Sequence, residues 1–481
     1  MSDVPSGNQD EDAAARLTSL GYKQELNRQV NVLGNIALTL SDISPTATLL
    51  VVGPVLIAAA GTGSFWALII GGIVSLCIAW CIGELGSMYP VAGGLYSMTR
   101  IVLGPALGFL ALIAVVVVSL FLPAAIAIGI GTYLTTLTTA IPTNIAAAII
   151  MAVVTGLSLL QIRFNAILTG VFLALELTVV IALTLAGLLN IHHSVSIFVH
   201  PVQAGAHGGL APVPLSVIIS AVALAVFAVS GYESAVNFAE ETEGRASGIG
   251  KAVVNSFVIG FVFIAVPFVA ILFGAGNLSA FLSSSTPLTD VAKAAFGNTF
   301  VDFLTIGAIL AILNAALAIT LQYARVLYAS GRDRAWPDPV NKWISLVLPG
   351  RGSPWVATLL VGIVGVVLCL QSSLVSVITF TSVVYVVSYG LVVVAAFVSR
   401  IRGRAEPRPY RLPFWPIPPL IGLVGIIYSI TQQTHHDLII TGAIFAAGLI
   451  YYLAFLRPRS ATYWNVMNTS ASSDSAVDVR N

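Results

Sequence analysis

Residues 37–54 read ALTLSDISPTATLLVVGP: an apolar run that gives way to Ser41, Asp42, Ser44, Pro45, Thr46 and Thr48 and then resumes. Pro45 has no N–H, and its ring clashes with the carbonyl of Ser41. The neighbouring hydroxyls offer the backbone competing hydrogen bonds. A helix through this stretch is therefore expected to break. The break falls about ten to fifteen residues in, roughly 15 to 22 Å along a helix, which is mid-depth in a hydrocarbon layer about 30 Å thick. Several N–H and C=O groups are expected to be freed there. At that depth they are tolerated only where they are buried in protein or line a cavity.

A second stretch has the same character. Residues 227–241 read FAVSGYESAVNFAEE, with Gly231 set between Ser230 and Tyr232 and with Glu233 and Ser234 just beyond. Glycine beside hydroxyl and carboxyl side chains is a second candidate point of unwinding.

The surrounding chain is built for a bilayer. Its 481 residues are 57% hydrophobic and 9% charged, whereas soluble domains carry roughly 25% charged residues. Twelve stretches are long and apolar enough to be read as spans: 32–60, 65–88, 103–134, 144–160, 164–189, 215–239, 252–273, 300–328, 356–370, 374–398, 417–430 and 438–455. Cytoplasmic loops are enriched in Lys and Arg. With twelve spans and the N-terminus inside, every one of the 21 Lys and Arg residues except Lys293 lies on the inner side. Both termini are thus expected in the cytoplasm, with the six histidines in two outer loops. The net charge of +1 argues against a nucleic-acid partner. Cys77, Cys81 and Cys369 all fall inside apolar runs and read as packing. The polar, acidic start has no apolar core of a cleavable leader. Residues 1–31 and 457–481 read as cytoplasmic tails, the latter disordered, and 399–456 as a connector with the last two spans.

The two breaks occupy the first span of each of two successive five-span units, 32–190 and 215–398, which the charge pattern orients oppositely. Paired interruptions in corresponding positions of two halves point to an inverted-repeat transporter with its substrate held at the breaks.

The chain resembles the amino-acid permeases of the amino acid/polyamine/organocation superfamily. The resemblance rests on GELGSMYPVAGGLY at 83–96, SGYESAVNFAEET at 230–242 and ARVLYASGRDRAWP at 324–337, and extends from LGYKQELNR at 20–28 to span twelve. It implies an all-α membrane protein of the LeuT type. That fold is a five-plus-five inverted repeat with spans one and six unwound around the substrate, followed by two further helices. The resemblance maps Gly231, Tyr232, Glu233, Ser234 and Ala235 onto the substrate-contacting turn, which Ser230 joins as a candidate contact, and Phe227 onto an aromatic that closes over substrate. In span one the family's glycine–serine–glycine turn is absent. Ser44, Pro45, Thr46, Ala47 and Thr48 stand in its place, leaving less room for a ligand carboxylate against bare amides.

Three acids lie deep in the spans: Asp42, Glu176 and Glu233. Ionisable groups at that depth mark substrate or proton pathways. Asp42 is a candidate partner for a substrate ammonium. Glu176, about mid-depth in span five, is the candidate proton carrier, on a helix where some relatives place a lysine. Glu84 reads as a structural partner for inner-face arginines, and Glu240, Glu241, Glu243 and Asp333 as solvated or paired with Arg245 and Arg325. Asn314 and Thr320 are polar groups in span eight; Tyr385 and Tyr389, one helical turn apart, read as packing. The leading expectation is a secondary importer of amino acids in the plasma membrane of a bacterium, driven by protons ahead of sodium and needing no cofactor. An amine or polyamine importer and an amino-acid exchanger are the alternatives. Neither a nucleophile constellation nor a phosphate-binding loop supports an enzyme or an ATP-driven pump.

Overall fold

The computed structural model describes residues 30–464 apart from short stretches at 92, 139, 160–161, 206–208, 349–353 and 403–405. The terminal tails up to residue 29 and from 465, with His207, Arg351 and Arg404, therefore lie outside the described residues.

The protein is mostly helical, and among the described residues seven helical runs are long and apolar enough to cross a membrane. Four shorter apolar helices accompany them: Thr143–Ser158, Leu215–Ala228, Trp355–Gln371 and Ile417–Thr431. The first long run, Val32–Met88, bends through Gly61–Gly63, where Gly61 takes φ +54°. Many of these helices are apolar on all faces, as expected where one side meets protein and the other lipid. Ile149, Ile181, Ile363, Val424 and Ile439 are among the large apolar side chains left exposed.

Small residues let the backbones approach. A Cβ on Gly274 would stand 2.8 Å from the Cα of Gly187, and one on Gly83 would stand 3.0 Å from the carbonyl oxygen of Gly250. Helix Ala246–Gly274 is thereby clamped between Ile162–Leu189 and Ser64–Met88, its two most extensive neighbours. All three cysteines are free and buried, in keeping with a packing role.

Several elements depart from the expected outline. The fold is not purely helical: Val202–Ala204 and Leu210–Pro212 form a two-stranded antiparallel ribbon in a loop expected to face outward. The connection before Asn298–Arg332 folds into two short helices, Leu278–Ser283 and Pro287–Phe296. Residues 457–464 are not disordered either. Trp464 is buried, its indole donates to the carbonyl of Pro105 at 2.9 Å, and the Arg100 guanidinium lies 4.2 Å from its ring centroid. Two aromatics anchor this otherwise polar segment, since Tyr463 also packs edge-on against Phe455 at 5.2 Å between ring centroids.

Candidate functional site

The break in span one is tighter than its sequence suggests. Helix Val32–Ile43 ends at Ser44, which adopts φ 40° and ψ 84°, and Pro45 opens the next helical turn. A residue before proline is disfavoured in the right-handed helical region, so the distortion settles on Ser44 and the chain resumes within one residue. A π-helical segment, Thr48–Val52, follows before Gly53–Ala60.

The expected set of freed backbone groups is almost fully engaged. Ser44 Oγ accepts from the Ala47 N–H at 3.3 Å, and the Thr48 N–H donates to the Ser44 carbonyl at 2.9 Å. The Thr46 N–H donates to Glu176 Oε1 at 3.0 Å, to which the Ser44 hydroxyl also donates at 2.7 Å. The Thr46 hydroxyl donates to the Glu176 carbonyl at 3.2 Å. The carboxyl of Glu176, from helix Ile162–Leu189, is thus seated in the break itself. It is fully buried, and its Oε2 has no hydrogen-bond partner among the described residues. Of the residues expected around a substrate, Ser44 and Thr46 are held by Glu176, and Ala47 is buried.

In span six, helix Val222–Ala228 ends before Gly231 and the chain restarts at Ser234–Asn237. Gly231 has φ +109°, a region open to glycine at little cost. A Cβ there would also stand 3.0 Å from the Cα and N of Ile43, so the two breaks lie directly against each other. Thr48 shares its hydroxyl hydrogen between the carbonyls of Ile43 at 3.1 Å and Ala228 at 3.0 Å. Asn35 ties the inner halves together by donating to the Ala235 carbonyl at 3.0 Å.

Glu233 stands at the centre of a hydroxyl cage. It accepts from Tyr385 at 3.0 Å, Tyr389 at 2.7 Å and the Gly231 N–H at 3.0 Å, and Tyr385 in turn meets Tyr323 at 2.6 Å. The tyrosines read as packing from their spacing alone are therefore hydrogen-bond donors. With the Gln322 amide oriented by its neighbours, its nitrogen donates to both Asp42 oxygens at 2.7 Å and its oxygen accepts from Asn237 at 2.8 Å.

Glu233, Asn237, Gln322, Tyr323, Tyr385 and Ser388 supply the polar lining of a cavity of about 20 Å³, room for no more than a water molecule or so in this closed conformation. Gly93 and Gly94, from the motif at 83–96, make space for it. A Cβ on Gly94 would fall 1.9 Å from Asn237 Oδ1. Phe227 meets Tyr385 edge to face at 5.6 Å between ring centroids. Of the ten residues expected around a substrate, Glu233 alone lines this cavity; Asp42, Ser44, Thr46, Ala47, Thr48, Phe227, Ser230, Gly231 and Tyr232 do not. Tyr232 stacks on Tyr389 and packs edge-on against Phe257, and the Ser230 hydroxyl donates back to the Phe227 carbonyl. In span eight, Thr320 donates to its own helix, and neither polar atom of Asn314 has a partner among the described residues.

The inner-face acids behave as structural groups. Glu84 accepts from Arg400 Nε, Arg408 Nη1 and the Leu412 N–H, each at 2.8 Å, and so docks the connector. Glu241 pairs with Arg325 as expected, whereas Glu240 and Asp333 stand opposite Arg332, with Arg100 also against Asp333.

Comparison with known proteins places this geometry. Residues 30–471 match the family described as Amino acid permease. An uncharacterized transporter of Mycobacterium tuberculosis is 27% identical over 439 residues, covering 89% of this chain and 91% of that protein. The branched-chain amino acid permease BcaP of Bacillus subtilis is 22% identical over 459 residues, covering 91% and 95%. The methylthioribose transporter of the same organism is 21% identical over 467 residues, covering 92% and 96%. A match over nearly the whole length, on a helical membrane chain with two abutting broken helices, makes this protein a member of the amino acid permease family, a multi-pass membrane transporter and not an enzyme.

Proposed function

We propose that the protein is a secondary active importer in the bacterial cell membrane that carries an amino acid, or an amine related to one, inward by alternating access, driven by protons. In this reading the chain crosses the membrane twelve times with both termini in the cytoplasm. The repeats at 32–190 and 215–398 are inverted in the LeuT manner, and substrate sits between the breaks of spans one and six, beneath Phe227.

The observation that carries the coupling is the seat of Glu176. Its Oε1 accepts from both Ser44 and Thr46 at the one distorted residue of span one. An ionised carboxyl accepts only, whereas a protonated one must place an O–H donor. Loading a proton therefore changes how firmly span five holds the hinge of span one, which biases one conformation over another.

The test is transport by the full chain in proteoliposomes, wild type against Glu176→Gln, under imposed proton or sodium gradients. Wild type is expected to concentrate solute under a proton gradient. The variant, fixed in a proton-loaded likeness, should still exchange solute while its accumulation ratio falls to about 1, because exchange needs only reversible isomerisation of the loaded carrier. Wild-type accumulation by the variant would remove Glu176 from coupling. Accumulation driven by sodium alone would replace the proton.

A further inference from the structure

From the charge and hydrogen bonding around the two breaks we infer that the substrate is a cationic amine without a carboxylate; the inference rests on the transporter reading above and narrows its substrate class. Two independent features of the site lead there.

The first concerns what a substrate carboxylate would meet. A carboxylate binds where bare N–H groups point at it. At the span-one break, the Thr46, Ala47 and Thr48 N–H groups are already engaged by Glu176, Ser44 Oγ and the Ser44 carbonyl. At the span-six break, the Gly231 N–H is taken by Glu233. A side-chain carboxyl thus stands at each break where a substrate carboxylate would have to go. A second anion arriving there would meet the repulsion of these carboxyls.

The second concerns what the site lacks. Glu233 receives three donors, from two tyrosines and one amide, and Asp42 receives the Gln322 amide on both oxygens. Both carboxyls are arranged as acceptors, which is how a carboxylate is satisfied. Glu233 lines the cavity, and Asp42 stands one hydrogen bond behind Gln322. Among the described residues, no Lys, Arg or His lines the cavity. Buried like charges without a partner are costly, and an ammonium group supplies the missing partner. The aromatic ring of Tyr385 beside Glu233 suits the same ligand, since cations favour aromatic faces. Membership in the family leaves the substrate open on this point, because one relative is named for methylthioribose and not for an amino acid.

The test uses pairs of probes that differ by one carboxylate: lysine and cadaverine, serine and ethanolamine, leucine and 3-methylbutylamine. Each is titrated against the purified full chain, with ligand-induced thermal stabilisation as the readout of affinity and counterflow in proteoliposomes as the readout of transport. In at least one pair the amine should act at a concentration at least about tenfold lower than its amino acid. Glu233→Gln and Asp42→Asn, each first checked for monodispersity in detergent, should each weaken that amine by about tenfold or more. An amino acid preferred over its amine in every pair that binds would overturn the inference and leave the importer reading standing, as would an amine whose affinity is unchanged in both monodisperse variants. Counterflow of none of these probes, nor of any of the twenty amino acids, by a monodisperse wild-type protein would overturn the importer reading and the inference with it.

Discussion

At Gly231 a single missing side chain does two things at once. The residue holds φ +109° and leaves room for the backbone of Ile43 against it, so the conformational freedom of glycine and its lack of bulk are both in use. Gly231→Ala would add strain of about 1 to 3 kcal/mol and push the two breaks apart. The expected result is a lower melting temperature in detergent and loss of transport. A variant that melts and transports like wild type would show that the breaks need not touch. Gly231 was legible in the sequence because a glycine among hydroxyls and acids has few other uses in a membrane helix. The partners of Glu176 were not. The contact from Glu176 to Ser44 spans 132 residues and depends on how two helices are rotated about their axes, which no local pattern encodes. Tyr385 and Tyr389 illustrate the same limit. Their spacing is that of ordinary packing, and only the position of Glu233 across the interface makes them donors.

Among elements, helix Ser64–Met88 and the connector after Leu374–Arg402 show how a charge is used structurally. Glu84 is fully buried, Arg408 nearly so, and the carboxylate gathers two guanidiniums and one backbone N–H. Removing one partner of such a cluster leaves the others unsatisfied, at a cost of about 3 to 5 kcal/mol. Glu84→Ala should therefore lower the melting temperature and speed tryptic cleavage after Arg411. Unchanged stability and cleavage would mean that the connector docks by other contacts. This role could be read from an acid at a helix end facing a loop rich in arginine. The short elements could not. The ribbon at Val202–Ala204 and the helices Leu278–Ser283 and Pro287–Phe296 lie in loops whose sequences carry no sustained period, and packing against the bundle decides their form. Trp464 escaped for the converse reason: an anchoring aromatic or two does not change the composition of a polar tail.

For the molecule as a whole, the reading stands on two five-helix halves of opposite orientation whose broken helices meet. Apolar length and the placement of Lys and Arg lead to that expectation, because both are imposed by the bilayer itself and need no knowledge of packing. The conformation described here is closed, with a cavity of about 20 Å³. A carrier of this kind must therefore open the site to one side and then the other. The most direct test of the central claim is the sidedness of the loops that flank span six. Single cysteines at Ser194, Glu243 and Thr434 occupy exposed positions, and the native Cys77, Cys81 and Cys369 are buried and give little background. With an impermeant thiol reagent on intact cells, cysteines at 194 and 434 should be labelled, and the one at 243 only after the membrane is opened. Labelling of 243 from outside, or of 194 only after opening, would contradict the inverted arrangement of the two halves.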